Sequence, residues 1–507
     1  MTRTDERGVA LVFTLFLMAA LSAMAVSMMF LAQTETSASR NYKTMSQARY
    51  AGEAGVQRAI HYLSSTTYTS LVTSTAGFIT TVSPVTDTAG NVVILSPVRA
   101  SSTYPSSATN GDAIKDAYAA LFTGASMSVG SGATVTYGAT ATLISMRLVT
   151  VYGGSPQVVQ TWRIAATGTV PGTLPATVEV AAILERDAAA AETYAVFATG
   201  NGCGALTMVG NVSTDSYDSA NMPGGTPVIS SSGGSVGTNG NLSIAGQVTV
   251  NGNLDTPRTG VGACTTGNVT ASTTTGTATI NGDTIQLPQA KVYPTPTVPS
   301  PGTADVSING STSASPSCPL AWGISIPDTC SIPTNGNVVI TKVGSAPISW
   351  RNVSMSGGAT LTINTVSSTN VNVNVNTWSL SGNSNVVLGS SAGVTLNVTG
   401  SGLTTGQTAV DFTGGALTNG SLNPAKFQIV YAGTNIIKVG GSSDTSATIY
   451  APNAKVDMNG SAGFYGSVLS GTFVDNGGAR LHYDRNLANQ FSTLGNHVMS
   501  SFSWQKY

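Results

Sequence analysis

The hydrophobic pattern changes character three times along the chain, and each change predicts a different kind of element. Residues 9–34, VALVFTLFLMAALSAMAVSMMFLAQT, contain no charged side chain. As a helix rising 1.5 Å per residue the run spans ~39 Å, enough to cross a hydrocarbon core of about 30 Å. Arg3 and Arg7 precede it and the next basic residue is Arg40, which predicts a cytoplasmic N-terminus. The helical pattern continues without proline to about Leu63 and turns amphipathic in its second half. Met45, Ala48, Ala51, Val56, Ala59, Ile60 and Leu63 line one face, with Arg40, Lys43, Arg49, Glu53 and Arg58 largely on the other. Ala19, Ala20, Ser22, Ala23, Ala25 and Ser27 are small enough for close helix approach.

Period-two alternation then takes over. Segments 133–153, 157–170 and 176–187 read as three consecutive antiparallel strands that would lie against the amphipathic half of the helix, with a short helix and loop in 101–127. From about residue 193 the texture becomes short apolar runs between Asn-Gly turns. SMSGGATLTI (354–363) aligns without gaps with SLSGNSNVVL (379–388), and Asn459-Gly460 is followed by Asn476-Gly477. Repeats of roughly 17–25 residues with alternating Val, Leu and Ile predict the coils of a parallel β-helix. A β-sandwich is the alternative. The expected class is therefore α+β: a polar segment 1–8, a helix 9–65, a small α+β domain 66–192, and a Thr/Asn/Gly-rich all-β domain 193–507.

Composition supports the boundary near 190. No Glu follows Glu192, and beyond it 11 Asp face 10 Lys plus Arg. Only 8% of residues are charged, against roughly 25% in ordinary soluble domains. The 57 glycines follow no three-residue period, which excludes collagen. A net charge of −1 without a basic run argues against nucleic acid as a partner.

The four cysteines are Cys203, Cys264, Cys318 and Cys330. An even number in an exported region predicts disulfides. Of three connectivities, proximity favours Cys318 with Cys330 and Cys203 with Cys264. Their spacing does not fit zinc. Asp215 and Asp218 are a close acidic pair in the β region; turn capping accounts for them, and calcium is the weaker reading. His482, in RLHYDR, reads as part of a terminal cap, and His497 has no obvious partner. No cofactor is expected. Parallel β-helices can carry glycan-active sites, which need clustered carboxylates, so a membrane-tethered glycan-active enzyme is kept as a rival although none is expected.

The N-terminal residues RGVALVFTLFLMAALSAMAVSM and the stretch SQARYAGEAGVQRAIHYL (46–63) together resemble the start of PilX-type minor pilins and of the K-type tip pseudopilin of type II secretion. The resemblance covers about residues 1–65. It implies that residues 1–8 are a prepilin leader, cut between Gly8 and Val9 by a membrane aspartyl peptidase, with N-methylation of Val9. Glycine at the cut suits an extended backbone entering a narrow cleft. A conventional secretory signal cleaved near Ala19–Ala23 and an uncleaved anchor are the alternatives. Major pilins of this kind have Glu as the fifth mature residue; here that position is Phe13, which implies a tip or minor subunit. The closing segment, with YAPNA, FYGS and HYD, resembles an uncharacterised domain that often follows PilX-type N-termini.

The expectation is a minor, tip-located pilin-like subunit serving pilus assembly or adhesion. It would sit single-pass in the inner membrane and then in an extracellular pilus or a periplasmic pseudopilus. Its expected partners are the prepilin peptidase, other pilins through the N-terminal helix, and a surface glycan or host ligand. A type II secretion tip pseudopilin is the first rival.

Overall fold

In the computed structural model the described residues are 6–129, 133–149, 151, 157–172, 175–257, 263–264, 267–268, 272–274, 276–310, 328–334, 336–366, 370–389, 393–441 and 443–506. They fall into two units. The first comprises Met1–Val149, Gln157–Asp187 and Gly495–Tyr507, and the second Thr150–Pro156 and Ala188–Leu494.

In the first unit, helix α1 (Glu6–Leu63) runs unbroken for 58 residues. Its C-terminal half packs on an antiparallel sheet of β1 (Ala133–Val149), β2 (Gln157–Val170) and β3 (Ala176–Ala190). Helix α2 (Gly111–Phe122) joins the same core through Ile114, Tyr118 and Phe122. Ala48, Ala51, Val56, Ala59 and Leu63 of α1 are fully buried, as the amphipathic pattern predicts. The helix sits unusually close to the sheet because glycines meet there. A Cβ on Gly168 of β2 would lie 2.0 Å from the Ala48 carbonyl oxygen, and one on Gly52 would lie 2.8 Å from a Val180 methyl. Gly52, and Gly55, whose added Cβ would lie 3.0 Å from the Ala166 Cβ, are therefore contact points rather than helix breakers. The sheet's far edge is strand Ser492–Lys506, the last in the chain, beside β3.

Apart from Thr150–Pro156, the second unit is thus inserted in sequence between two neighbouring strands of the first. Its large sheet is built from parallel pairings. One in-register column runs Ile348, Val373, Leu396, Ile429, Ile449, Val468, Val196, Val236, Leu254 and Thr284. A second runs Val306, Val353, Trp378, Val410, Ile437, Val456, Phe473, Leu206 and Leu242. Every member except Thr284 is buried. Alternation at period two puts each of these side chains inward, and stacking like on like turns the columns into one apolar core. A separate five-stranded sheet carries a third column, Val338, Leu361, Val386 and Leu417. Inside the layers, amide side chains also stack, Asn397 Nδ2 donating to Asn374 Oδ1 at 3.0 Å.

Residues 287–302, with five prolines, contain no helix or strand and run as a strap along the stack. Their contacts follow in spatial order. The Leu287 N–H donates to the Thr256 carbonyl, and Lys291 exchanges backbone bonds with the Asn239 side chain. The Tyr450 hydroxyl then donates to the Pro294 carbonyl, and the Gly302 N–H reaches the Trp350 carbonyl. Nine layer steps from Ile348 to Thr284, at about 4.8 Å each, cover ~43 Å. Fifteen residues at about 3.1 Å reach ~46 Å. The strap is as long as the stack requires.

Candidate functional site

The features with chemical potential lie in two places: the free half of α1, and the seam where the last layer of the stack meets the first. The N-terminal half of α1 is exposed throughout its described residues from Val9 to Tyr42. Its large apolar residues from Val9 to Leu31 are more than half exposed, with Phe13 at 74%. The segment is long and apolar enough to cross a membrane. Three of its hydroxyls bond within the helix: Thr14 donates to the Ala10 carbonyl (3.1 Å), Ser27 to Ala23 (2.9 Å) and Thr34 to Phe30 (2.9 Å). Bonding back to the helix in this way lets a hydroxyl sit in hydrocarbon without water. Gly8, Val9 and Phe13 lie within α1, and Phe13 is exposed.

At the seam, strands Gly463–Asp475 and Arg480–Asp484 pair with Val196–Ala198 and Leu206–Tyr217. Asp215 and His482 are register partners there, and His482 Nδ1 stands 2.5 Å from Asp215 Oδ1. The imidazole ring also lies over Tyr465, with centroids 4.4 Å apart. His482 therefore sits inside the stack, not at a terminal cap, because the last strands of the unit insert beside its first ones. Asp218 does not share this pairing; its Oδ1 accepts the Ala220 N–H at 3.0 Å, closing a local turn.

The residue sequence reasoning passed over is Glu192. It is 1% exposed. The Ser467 hydroxyl donates to Oε2, while Oε1 meets no hydrogen-bond partner among the described residues. Burial pushes its carboxyl up to about 8, and the Ser467 hydrogen bond opposes this only in part. Burial likewise raises Asp475 and Asp484 above the usual carboxylate range, against hydrogen bonds that pull them down. The one sequence signal was that Glu192 is the last glutamate of the chain.

His497 of the first unit has its imidazole held below the ordinary value, by burial first and by Arg186 second. Cys203 and Cys330 are disulfide-bonded. The expected pairings cannot be read further, because the Cys264 side chain and Cys318 lie outside the described residues. Among the described residues no three His, Cys, Asp or Glu side chains gather as metal ligands would.

A family model described as a domain of unknown function (DUF7305) matches residues 351–490, the stretch from the middle of the stack through the seam. No curated protein matches the chain. Among solved structures the chain is similar to the competence-associated pilin ComZ from Thermus thermophilus, at 14% identity, covering 91% of this chain and 98% of that one. The TM-score is 0.30, too low for the likeness to carry a functional argument.

Proposed function

We propose that the chain is a minor, tip-located subunit of a type IV pilus-like filament, made as a prepilin and cut between Gly8 and Val9. The observation that carries this reading is a single helix with two different halves. One half is bare and apolar, and the other is packed on a small antiparallel sheet. A helix used merely as an anchor has no need to continue rigidly into a domain core. One that must move from lipid into a bundle of like helices does, and its run of small residues allows close packing there. Phe13 in place of a carboxylate removes the charge that would need a partner amine in an apolar core, which fits a subunit that starts a filament. The second unit is read as a parallel β-helix displayed outward, for adhesion or spacing. Membrane topology, Val9 methylation, the prepilin peptidase as partner and a glycan or surface ligand belong to the same proposal. Its closest rival, a tip pseudopilin of type II secretion, shares the helix argument and differs in where the head is displayed.

Shearing cells and probing the released filaments for this chain tests the reading. We expect a few copies per filament in the sheared fraction, and retention in the inner membrane when the major pilin is deleted. A chain that stays in the membrane fraction in both backgrounds would refute filament incorporation.

A further inference from the structure

The order of layers in the stack is not their order in the chain. Ile449 is followed in register by Val468, and Val468 by Val196, more than 250 positions earlier in sequence. On adjoining faces Phe473 pairs with Leu206 and Leu481 with Thr214. The last layer, residues 463–484, thus lies between the layer of Thr445–Asn459 and the layer of 196–217. Residues 196–286 make one half-stack and 306–459 another, and the backbone link between them is the long strap 287–302.

Polar bonds concentrate where the halves meet. The Tyr483 hydroxyl donates to the Glu192 carbonyl (2.8 Å), and Ser467 Oγ, beside Glu192 Oε2, also lies 2.7 Å from the Tyr194 carbonyl oxygen. The Ser219 N–H donates to Asp484 Oδ1 (2.9 Å), and the Thr199 N–H to the Ser470 carbonyl (2.8 Å). A few residues further on, Ser492–Lys506 takes its place beside β3 in the sheet of the first unit. Without residues 463–506 the half-stacks would face each other with unpaired parallel edges, and β3 would be an open edge as well.

We infer that residues 463–506 are the closing element of both units: the half-stacks form as separate bodies, and the chain's final segment locks them together. Closure by residues so distant in sequence carries a large loop-closure cost and comes late in folding. The inference stands on strand register and does not depend on the pilin reading.

Hydrogen exchange on the full-length chain, followed by mass spectrometry, tests it. Leu481→Ala empties a buried position of the last layer. Amides of 196–217 should then exchange at least ~30-fold faster, the scale of a buried Leu→Ala loss, while those of 348–398 stay within about 3-fold of the parent. Val373→Ala, deep in one half-stack, should speed exchange at 348–398 and leave 196–217 unchanged. If Leu481→Ala does not accumulate, Tyr483→Phe removes a single seam bond and should give about a 5-fold effect at 196–217. A rise confined to 463–484, a uniform rise along the unit, or a Val373→Ala effect at 196–217 equal to that of Leu481→Ala would overturn the inference.

Discussion

Replacing Glu192 with Gln is expected to abolish most of the pH dependence of the second unit's stability between pH 5 and pH 9. Glu192 is buried, its Oε1 has no partner among the described residues, and its carboxyl is raised from 4.5 to about 8. A raised folded-state value means the native protein holds a proton that the unfolded chain has released between those two values. Its stabilising effect is therefore complete below about pH 4.5 and is lost as pH rises through 8. At 1.36 kcal/mol per unit the loss by pH 9 is about 5 kcal/mol. Asp475 and Asp484 are raised in the same direction and add to the slope. Urea unfolding at pH 5 and pH 9 should show the parent midpoint falling at the higher pH and the Glu192→Gln midpoint falling far less. At pH 5 the variant should be slightly weaker, since an amide replaces the protonated carboxyl at a buried position. Parent and variant midpoints falling in parallel from pH 5 to pH 9 would show that Glu192 is ionised in the fold.

The second large effect is expected from Gly168→Ala. The added Cβ would fall 2.0 Å from the Ala48 carbonyl oxygen and 2.5 Å from the Gly52 nitrogen. Both are helix backbone atoms, which cannot rotate aside as a side-chain tip could. The helix must lift from β2, exposing Ala51, Val56 and Ala59. The cost should exceed about 3 kcal/mol, the upper end of ordinary overpacking. Limited trypsin digestion should then cut after Arg49 and Arg58, which the docked helix of the parent resists, while the second unit stays intact. Digestion patterns identical to the parent would mean that helix and sheet are less tightly apposed than the glycine contacts require.

Much of this was legible in local pattern. The ungapped alignment of 354–363 with 379–388 is the strand register itself: Ser354 pairs with Ser379 and Leu361 with Val386. The two Asn-Gly steps at 459 and 476 likewise anticipate the pairing of Phe464 with Leu481. The antiparallel sheet, the buried stripe of α1 and its bare apolar half all follow from periodicity. The head was read as starting at 193 and running to the end of the chain, whereas the structure changes unit at 187–188 and returns Gly495–Tyr507 to the first unit. That return could not be read locally, because strand pairing between residues some 300 apart leaves no periodic trace. The seam was hidden for the same reason. His482 looked like a cap since it lies near the end of the sequence, yet stacking places it in the interior of the unit. The five prolines of 287–302 were not singled out in the sequence pattern, and only the layer order shows what the segment spans. Glu192 carries no motif at all; a lone carboxylate becomes unusual only once its burial is known.

The mass of the mature N-terminus tests the central claim most directly. With the prepilin peptidase present, the purified chain should begin at Val9 and carry one methyl group on its amino nitrogen, and without the peptidase it should keep residues 1–8. A mature chain beginning near Ala23, or one keeping its first eight residues when the peptidase is active, would contradict the account.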